Sequence, residues 1–309
     1  MKAVYVSCAS VLVLLLVGVA LQEMQSDSIS ERRLDRVAQG IPALDGTEKQ
    51  VGSRAIITYD FSRPTVEIRL PRRLREISAL SMDGSGHLLA VEDESGHLYK
   101  IDPQTGEIIQ RDRFGSGGDY EGVERVGDRI LVLRSSGHLY SIDAEKPKSK
   151  TTHRTKLKLP GGCDAEALGY DDLKDLLLVG CKAQDGVRGR KGRSIYAFHP
   201  SGEPFSDEPY LFIDDDLLAA ACGYCKKRTR SFHPSAIAVQ PSTRELYILS
   251  AVNELLLIYS PDSSRLIRLK LDRLPQPEGI TFDRNEVLYM VSEGQSKKAT
   301  LYVFNPIRN

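Results

Sequence analysis

The sequence contains no tryptophan and no excess of either charge, its lysines and arginines matching its aspartates and glutamates at 42 each. That balance leaves no global field to recruit nucleic acid or an acidic partner surface, so any charge-based recognition is local. Also missing are a Gly-x-Ser-x-Gly elbow, a His-Glu-x-x-His helix and a phosphate-binding glycine loop, which removes the common signatures of serine hydrolases, zinc proteases and P-loop enzymes. With 41% apolar residues, the chain is ordinary for a folded body rather than a disordered one.

Long apolar runs occur once. Met1-Lys2 precedes an apolar stretch from Ala3 to Leu21, which reads as an export signal or a membrane anchor over residues 1–24. Gly18-Val19-Ala20 offers the small residues that cleavage requires. Polar residues 25–50 read as a tether, and 51–309 as the folded domain. Cysteine use fits export to the periplasm or the periplasmic side of a membrane. Beyond Cys8 there are four, Cys163, Cys181, Cys222 and Cys225, an even number that allows three pairings in an oxidising compartment.

Five segments align on an acidic or polar residue followed by small or apolar ones. They begin at Glu76, Glu121, Glu166, Ser235 and Glu278, with spacings of 45, 45, 69 and 43. Each is followed by a turn, a β-rich run such as Arg129-Ile-Leu-Val-Leu133, and a third run with a shared pattern, as in His97-Leu-Tyr-Lys-Ile101 and Thr300-Leu-Tyr-Val-Phe304. Four short antiparallel strands at a period near 45 describe an all-β fold, a β-propeller. The last segment has only three strands, while Thr65 to Leu70 stands unpaired before the first. Five blades closed by that N-terminal strand result. A sixth could hide between Glu166 and Ser235, but the extra residues there read as two polar loops, Lys182 to Arg193 and Asp214 to Ser231.

The aligned residues Glu76, Glu121, Glu166, Ser235 and Glu278 start the innermost strands and converge on one mouth. Asp119 precedes its glutamate by two residues, and Asp93, Glu94, Arg134 and Glu293 end second strands on the same face. Carboxylates crowded round a narrow channel repel one another unless a cation, an arginine or protons compensate. Ca²⁺ accepts six to eight oxygens in flexible geometry, so Glu76, Glu121, Glu166 and Glu278 are its candidate ligands. The same residues could instead lock blade to blade, or do acid–base chemistry. Arg188, Arg190, Lys191 and Arg193, with Lys226 to Arg230, form basic stretches able to hold an anionic ligand. His233 is the histidine nearest the mouth. The four cysteines map to this face, favouring Cys163 with Cys181 and Cys222 with Cys225; a four-thiolate zinc site and a redox pair are the alternatives.

Leu74-Arg-Glu-Ile-Ser-Ala-Leu80, Ala90-Val-Glu-Asp-Glu-Ser-Gly-His-Leu-Tyr99, Gly118-Asp-Tyr-Glu-Gly-Val123 and Pro277-Glu-Gly-Ile-Thr-Phe282 with Val291-Ser-Glu293 together resemble the SdiA-regulated (YjiK-like) propeller proteins. That family is exported or membrane-associated and has no established reaction. More distantly the chain is similar to esterase-like phytases and gluconolactonase-type propellers, which place Ca²⁺ in the channel. The resemblance implies an envelope propeller that binds a small anionic ligand or an envelope protein at its mouth, or else a Ca²⁺-dependent phosphoester or lactone hydrolase. Ser235 and the cysteine-bearing loops depart from a symmetric pattern.

Overall fold

Alternating apolar residues in short runs can bury both faces of a sheet only if sheets stack on each other, and a ring of sheets does this without leaving an open end. The computed structural model describes residues 57–308, apart from 148–151, 184, 188–189, 223–231, 270–275 and 295–296. These residues form five antiparallel blades whose inner strands are Ile77–Met82, Tyr120–Val126, Ala165–Asp171, Ala236–Val239 and Pro277–Phe282.

Five clusters of buried side chains fill the five junctions between neighbouring blades. Between blades one and two, Val91 and Leu98 meet Tyr120, Val123 and Val132. Between four and five, Tyr247 packs edge-on against Phe282, with ring centroids 5.0 Å apart. Burial of this kind stabilises by roughly 25 cal/mol per Å² of apolar surface. The core is therefore divided among junctions rather than gathered at one centre.

Closure follows the expected route. Val66–Arg69 pairs antiparallel with Thr300–Phe304 as the outer strand of blade five, Val66 opposite Val303 and Arg69 opposite Thr300. A second, shorter latch pairs Ile57–Thr58 with Ile307–Arg308. The Tyr59 hydroxyl then donates to the Glu286 carbonyl at 2.7 Å. The first pairing completes blade five as a four-stranded sheet, so that Thr300–Phe304 is no longer an edge strand and Val66–Arg69 takes that place.

Among the described residues the long interval in blade three holds no sixth blade, and each stretch taken for a loop contains a regular element. Asp185–Val187 pairs with the start of Arg190–Phe198 as a hairpin extension. Asp215–Cys222 is a helix. The Asp214 carboxylate accepts from the Leu217 N–H at 2.9 Å, capping the helix, two further aspartates sit in its first turn and three alanines follow, a composition that favours helix over loop. Among the described residues no helix is long and apolar enough to cross a membrane. The apolar run near the N-terminus lies outside them.

Candidate functional site: an asymmetric acidic mouth

In four blades the pairing of inner and second strands skips one residue. The skipped residues are Ser78, Glu121, Glu166 and Glu278, each in a β-bulge. A bulge re-aims its side chain and bends the strand. In blade four Ser235 takes the same place, its N–H bonded to the Leu249 carbonyl at 2.9 Å and its hydroxyl accepting from the Ala251 N–H at 3.2 Å. The ring at the mouth is thus Ser78, Glu121, Glu166, Ser235 and Glu278.

Glu76 is displaced from that ring by two residues. The Asp93 N–H donates to the Glu76 carbonyl at 3.3 Å, and the equivalent bonds are Ser135 to Asp119 at 2.9 Å, Lys182 to Asp164 at 2.7 Å and Glu293 to Gln276 at 3.1 Å. Glu76 therefore belongs to an outer tier with Asp119, Asp164 and Gln276. The signal that identifies the ring is the residue after it, which is small in every blade: Ala79, Gly122, Ala167, Ala236 and Gly279. A Cβ on Gly122 would lie 2.4 Å from the Leu168 Cβ of the next blade, and one on Gly279 would lie 2.9 Å from the Leu80 nitrogen. Close approach of inner strands sets that choice.

The carboxylates are under electrostatic pressure. Burial, then the charge of Glu166 and a hydrogen bond with Asp119, push Glu121 up to about 10. Burial and the charges of Glu166 and Glu293 take Glu278 up to about 8. Burial, with Glu76, Glu94, Glu92 and Glu293 nearby, raises Asp93 to about 6, and burial and Glu76 raise Glu293. The Lys182 ammonium lies 2.8 Å from a Glu166 oxygen. Burial alone would lower this lysine, but Glu166, Glu278 and Asp164 outweigh it and raise it. Glu166 itself stays raised, burial exceeding the help of Lys182. Glu76 pairs with Arg75.

Lys182 carried no sequence signal as a site residue except its place, directly after a second strand, where blades one and five carry Asp93 and Glu293. Arg193 is not a loop cation: it is 8% exposed, and its Nε donates to the Lys182 carbonyl at 2.5 Å. His233 faces the same guanidinium at 3.4 Å, its N–H donates to the Ser250 hydroxyl at 3.0 Å, and burial and Arg193 lower its basicity. Both hold blade three to blade four beside the mouth. Arg134 lies against Gly118 at the end of blade two's second strand. Glu94 and Lys191 are exposed. Arg188, the Arg190 side chain and Lys226 to Arg230 lie outside the described residues.

Cys163 and Cys181 form a disulfide that joins the entry of blade three's inner strand to the end of its second strand. Cys222 is also disulfide-bonded, while Cys225 lies outside the described residues. Among the described residues no three carboxylate, imidazole or thiol groups are gathered as a set ready to hold a metal.

A sequence profile of the SdiA-regulated family matches residues 59–297. The chain belongs to the SdiA-regulated family. No curated protein matches the sequence. Among solved structures this family member is similar to a glutaminyl cyclase from Myxococcus xanthus, at 13% identity and a TM-score of 0.51, over 83% of this chain and 98% of that one. It is also similar to the PQQ-bound aldose sugar dehydrogenase of Streptomyces coelicolor, at 12% identity and a TM-score of 0.48, over 82% and 99%. At such identities the likeness concerns the fold alone.

Proposed function

We propose that this SdiA-regulated propeller is an exported or membrane-tethered binding protein whose acidic mouth takes up a cationic group in exchange for protons. The supporting observation is Glu121, held up to about 10 beside Asp119, Glu166 and Glu278. With Lys182 bonded to Glu166 and Arg75 to Glu76, Glu121 and Glu278, raised to about 10 and about 8, keep their protons until a cation replaces them. Ca²⁺ is the first cation to test because it accepts oxygens in flexible geometry, and the carboxylates would have to move towards it.

Calorimetric titration of CaCl₂ in two buffers of different ionisation enthalpy measures protons released on binding. The expected result is binding with net proton release, reduced in Glu121→Gln. Absence of both heat and thermal shift at millimolar Ca²⁺, and with a primary-amine probe such as putrescine, would overturn the reading and leave blade locking as the role of the mouth.

The hydrolase alternative draws on Glu121, which burial, Glu166 and Asp119 raise to about 10, since a carboxyl kept protonated near neutrality can serve as a general acid. A phosphoester and lactone turnover screen with wild type and Glu121→Gln tests it: turnover lost in the variant supports hydrolysis, and its absence from wild type removes it.

A further inference from the structure

A cavity of about 520 Å³ opens at the junction of blades five and one, where Glu76 of the outer tier forms part of its wall. Its charge is opposite to that of the mouth. Arg72, Arg73, Arg75, Arg111, Lys297 and Lys298 line it, against three carboxylates, Glu76, Glu92 and Glu94. Six cations less three carboxylates leave an excess of three positive charges, in a chain whose totals cancel.

The frame holding these cations is ordered by backbone bonds. Pro71 leads into a 3₁₀ turn, Arg72–Leu74, whose Leu74 is fully buried, which turns its neighbours Arg72 and Arg73 to solvent. The turn is tied to the lysine-bearing loop by Leu70 N–H to the Ala299 carbonyl at 2.9 Å and Gly294 N–H to the Arg75 carbonyl at 2.7 Å. Across the cavity the Arg111 guanidinium sits 5.9 Å from the centre of the Tyr99 ring, a contact that orients it. Among the carboxylates, Glu92 is already occupied: it accepts from the Ser95 hydroxyl and from the N–H groups of Glu94 and Ser95 at 3.0 and 3.2 Å. Glu76 is taken by Arg75. Arg72, Arg73, Lys297 and Lys298 make no ion pair with any described residue.

We infer that this cavity is a binding site for a phosphate-bearing group, on a small molecule or on a lipid headgroup. Guanidinium forks match phosphate oxygens two at a time, several cations converging from two loops and a strand suit a multiply charged oxyanion, and the volume falls within the range of small-ligand sites. The site is separate from the carboxylate ring and does not depend on the mouth's taking a cation.

Two arms test it with the full chain at low ionic strength. The first titrates pyrophosphate calorimetrically; the second measures cosedimentation with phosphatidylglycerol vesicles against phosphatidylcholine vesicles. The variants are Arg72→Ser/Arg73→Ser/Arg111→Ser and, from the facing loop, Lys297→Ser/Lys298→Ser. Arg154→Ser/Lys156→Ser/Lys158→Ser, on and beside the exposed outer strand of blade two, removes as many charges elsewhere. Pyrophosphate binding weakened at least tenfold in both cavity variants and unchanged in the control supports a free ligand. Binding to phosphatidylglycerol vesicles alone, with the same pattern, supports a headgroup. The proposal is overturned if neither probe binds, if the cavity variants bind as wild type does, or if the control loses as much as they do.

Discussion

The Ser78 hydroxyl donates to the Tyr120 carbonyl at 2.6 Å, and Tyr120 is the residue directly before Glu121. Ser235 repeats the arrangement, donating to the carbonyl of Pro277, which precedes Glu278, at 3.3 Å. Each serine of the ring thus ties its blade to the backbone that presents the next blade's glutamate. The ring's two kinds of residue have divided roles, with serines bridging and glutamates facing the channel.

Ser78→Ala leaves a buried carbonyl without this donor and should cost about 1–2 kcal/mol of stability. Ser235→Ala should cost less through the longer bond to Pro277, although the Ala251 N–H also loses its acceptor. Urea unfolding of the two variants gives the comparison; equal stability to wild type in Ser78→Ala would count against blade tying.

Stability should fall as pH rises from about 5 towards 10. Glu121 and Glu278 are raised, to about 10 and about 8, so between their ordinary values and these the folded chain holds more protons than the unfolded one. The slope of unfolding free energy with pH is then negative, with their favourable contribution complete at low pH and lost through the raised values. Glu121→Gln should flatten this part of the profile and raise the melting temperature at pH 8, as thermal melts across pH would show. A wild-type profile rising over that range would contradict it.

Gly122→Val should destabilise by about 1–3 kcal/mol or more, because a side chain there meets Leu168 of blade three. Gly127→Ala makes a useful contrast: nothing lies near a Cβ there, but its φ of +58° limits the cost to backbone strain, about 1–2 kcal/mol. Denaturant midpoints separate the two causes when Leu168→Gly is added, since removing the Leu168 Cβ that lies 2.4 Å away should offset part of the cost of Gly122→Val and none of that of Gly127→Ala.

Removing the Cys163–Cys181 bridge, which closes a sequence separation of 18, should cost about 2–4 kcal/mol through greater freedom of the unfolded chain. Guanidinium unfolding of Cys163→Ser/Cys181→Ser measures it. The bridge flanks Asp164 and Lys182, so the double variant should also weaken any cation binding at the mouth.

The five-bladed ring and its closure by Val66–Arg69 were legible in the sequence because strands repeat at a period, and an unpaired strand at one end matched a vacancy at the other. Register at blade one was harder. Glu76-Ile-Ser mimics the acidic start of the other blades, and only the small residue, Ala79, places Ser78 in the ring. The helix Asp215–Cys222 was hidden by the polar residues around its start, although its cap and alanines signal it. Lys182 was invisible as a partner of Glu166 because their meeting depends on strand pairing, and the cationic cavity because its arginines and lysines come from opposite ends of the chain.

Val66 meets Val303 across nearly the whole propeller, so the strand that leads the ring into blade one is completed by the one that ends it. While the chain is being made, Val66–Arg69 lacks its partner until Thr300–Phe304 has been added. The junction of blades five and one, with Leu70, Leu74, Val291 and Leu301, therefore needs both ends of the ring before it can close. Because the 3₁₀ turn and the Lys297–Lys298 loop lie on that seam, the cationic cavity comes into being only with the finished ring.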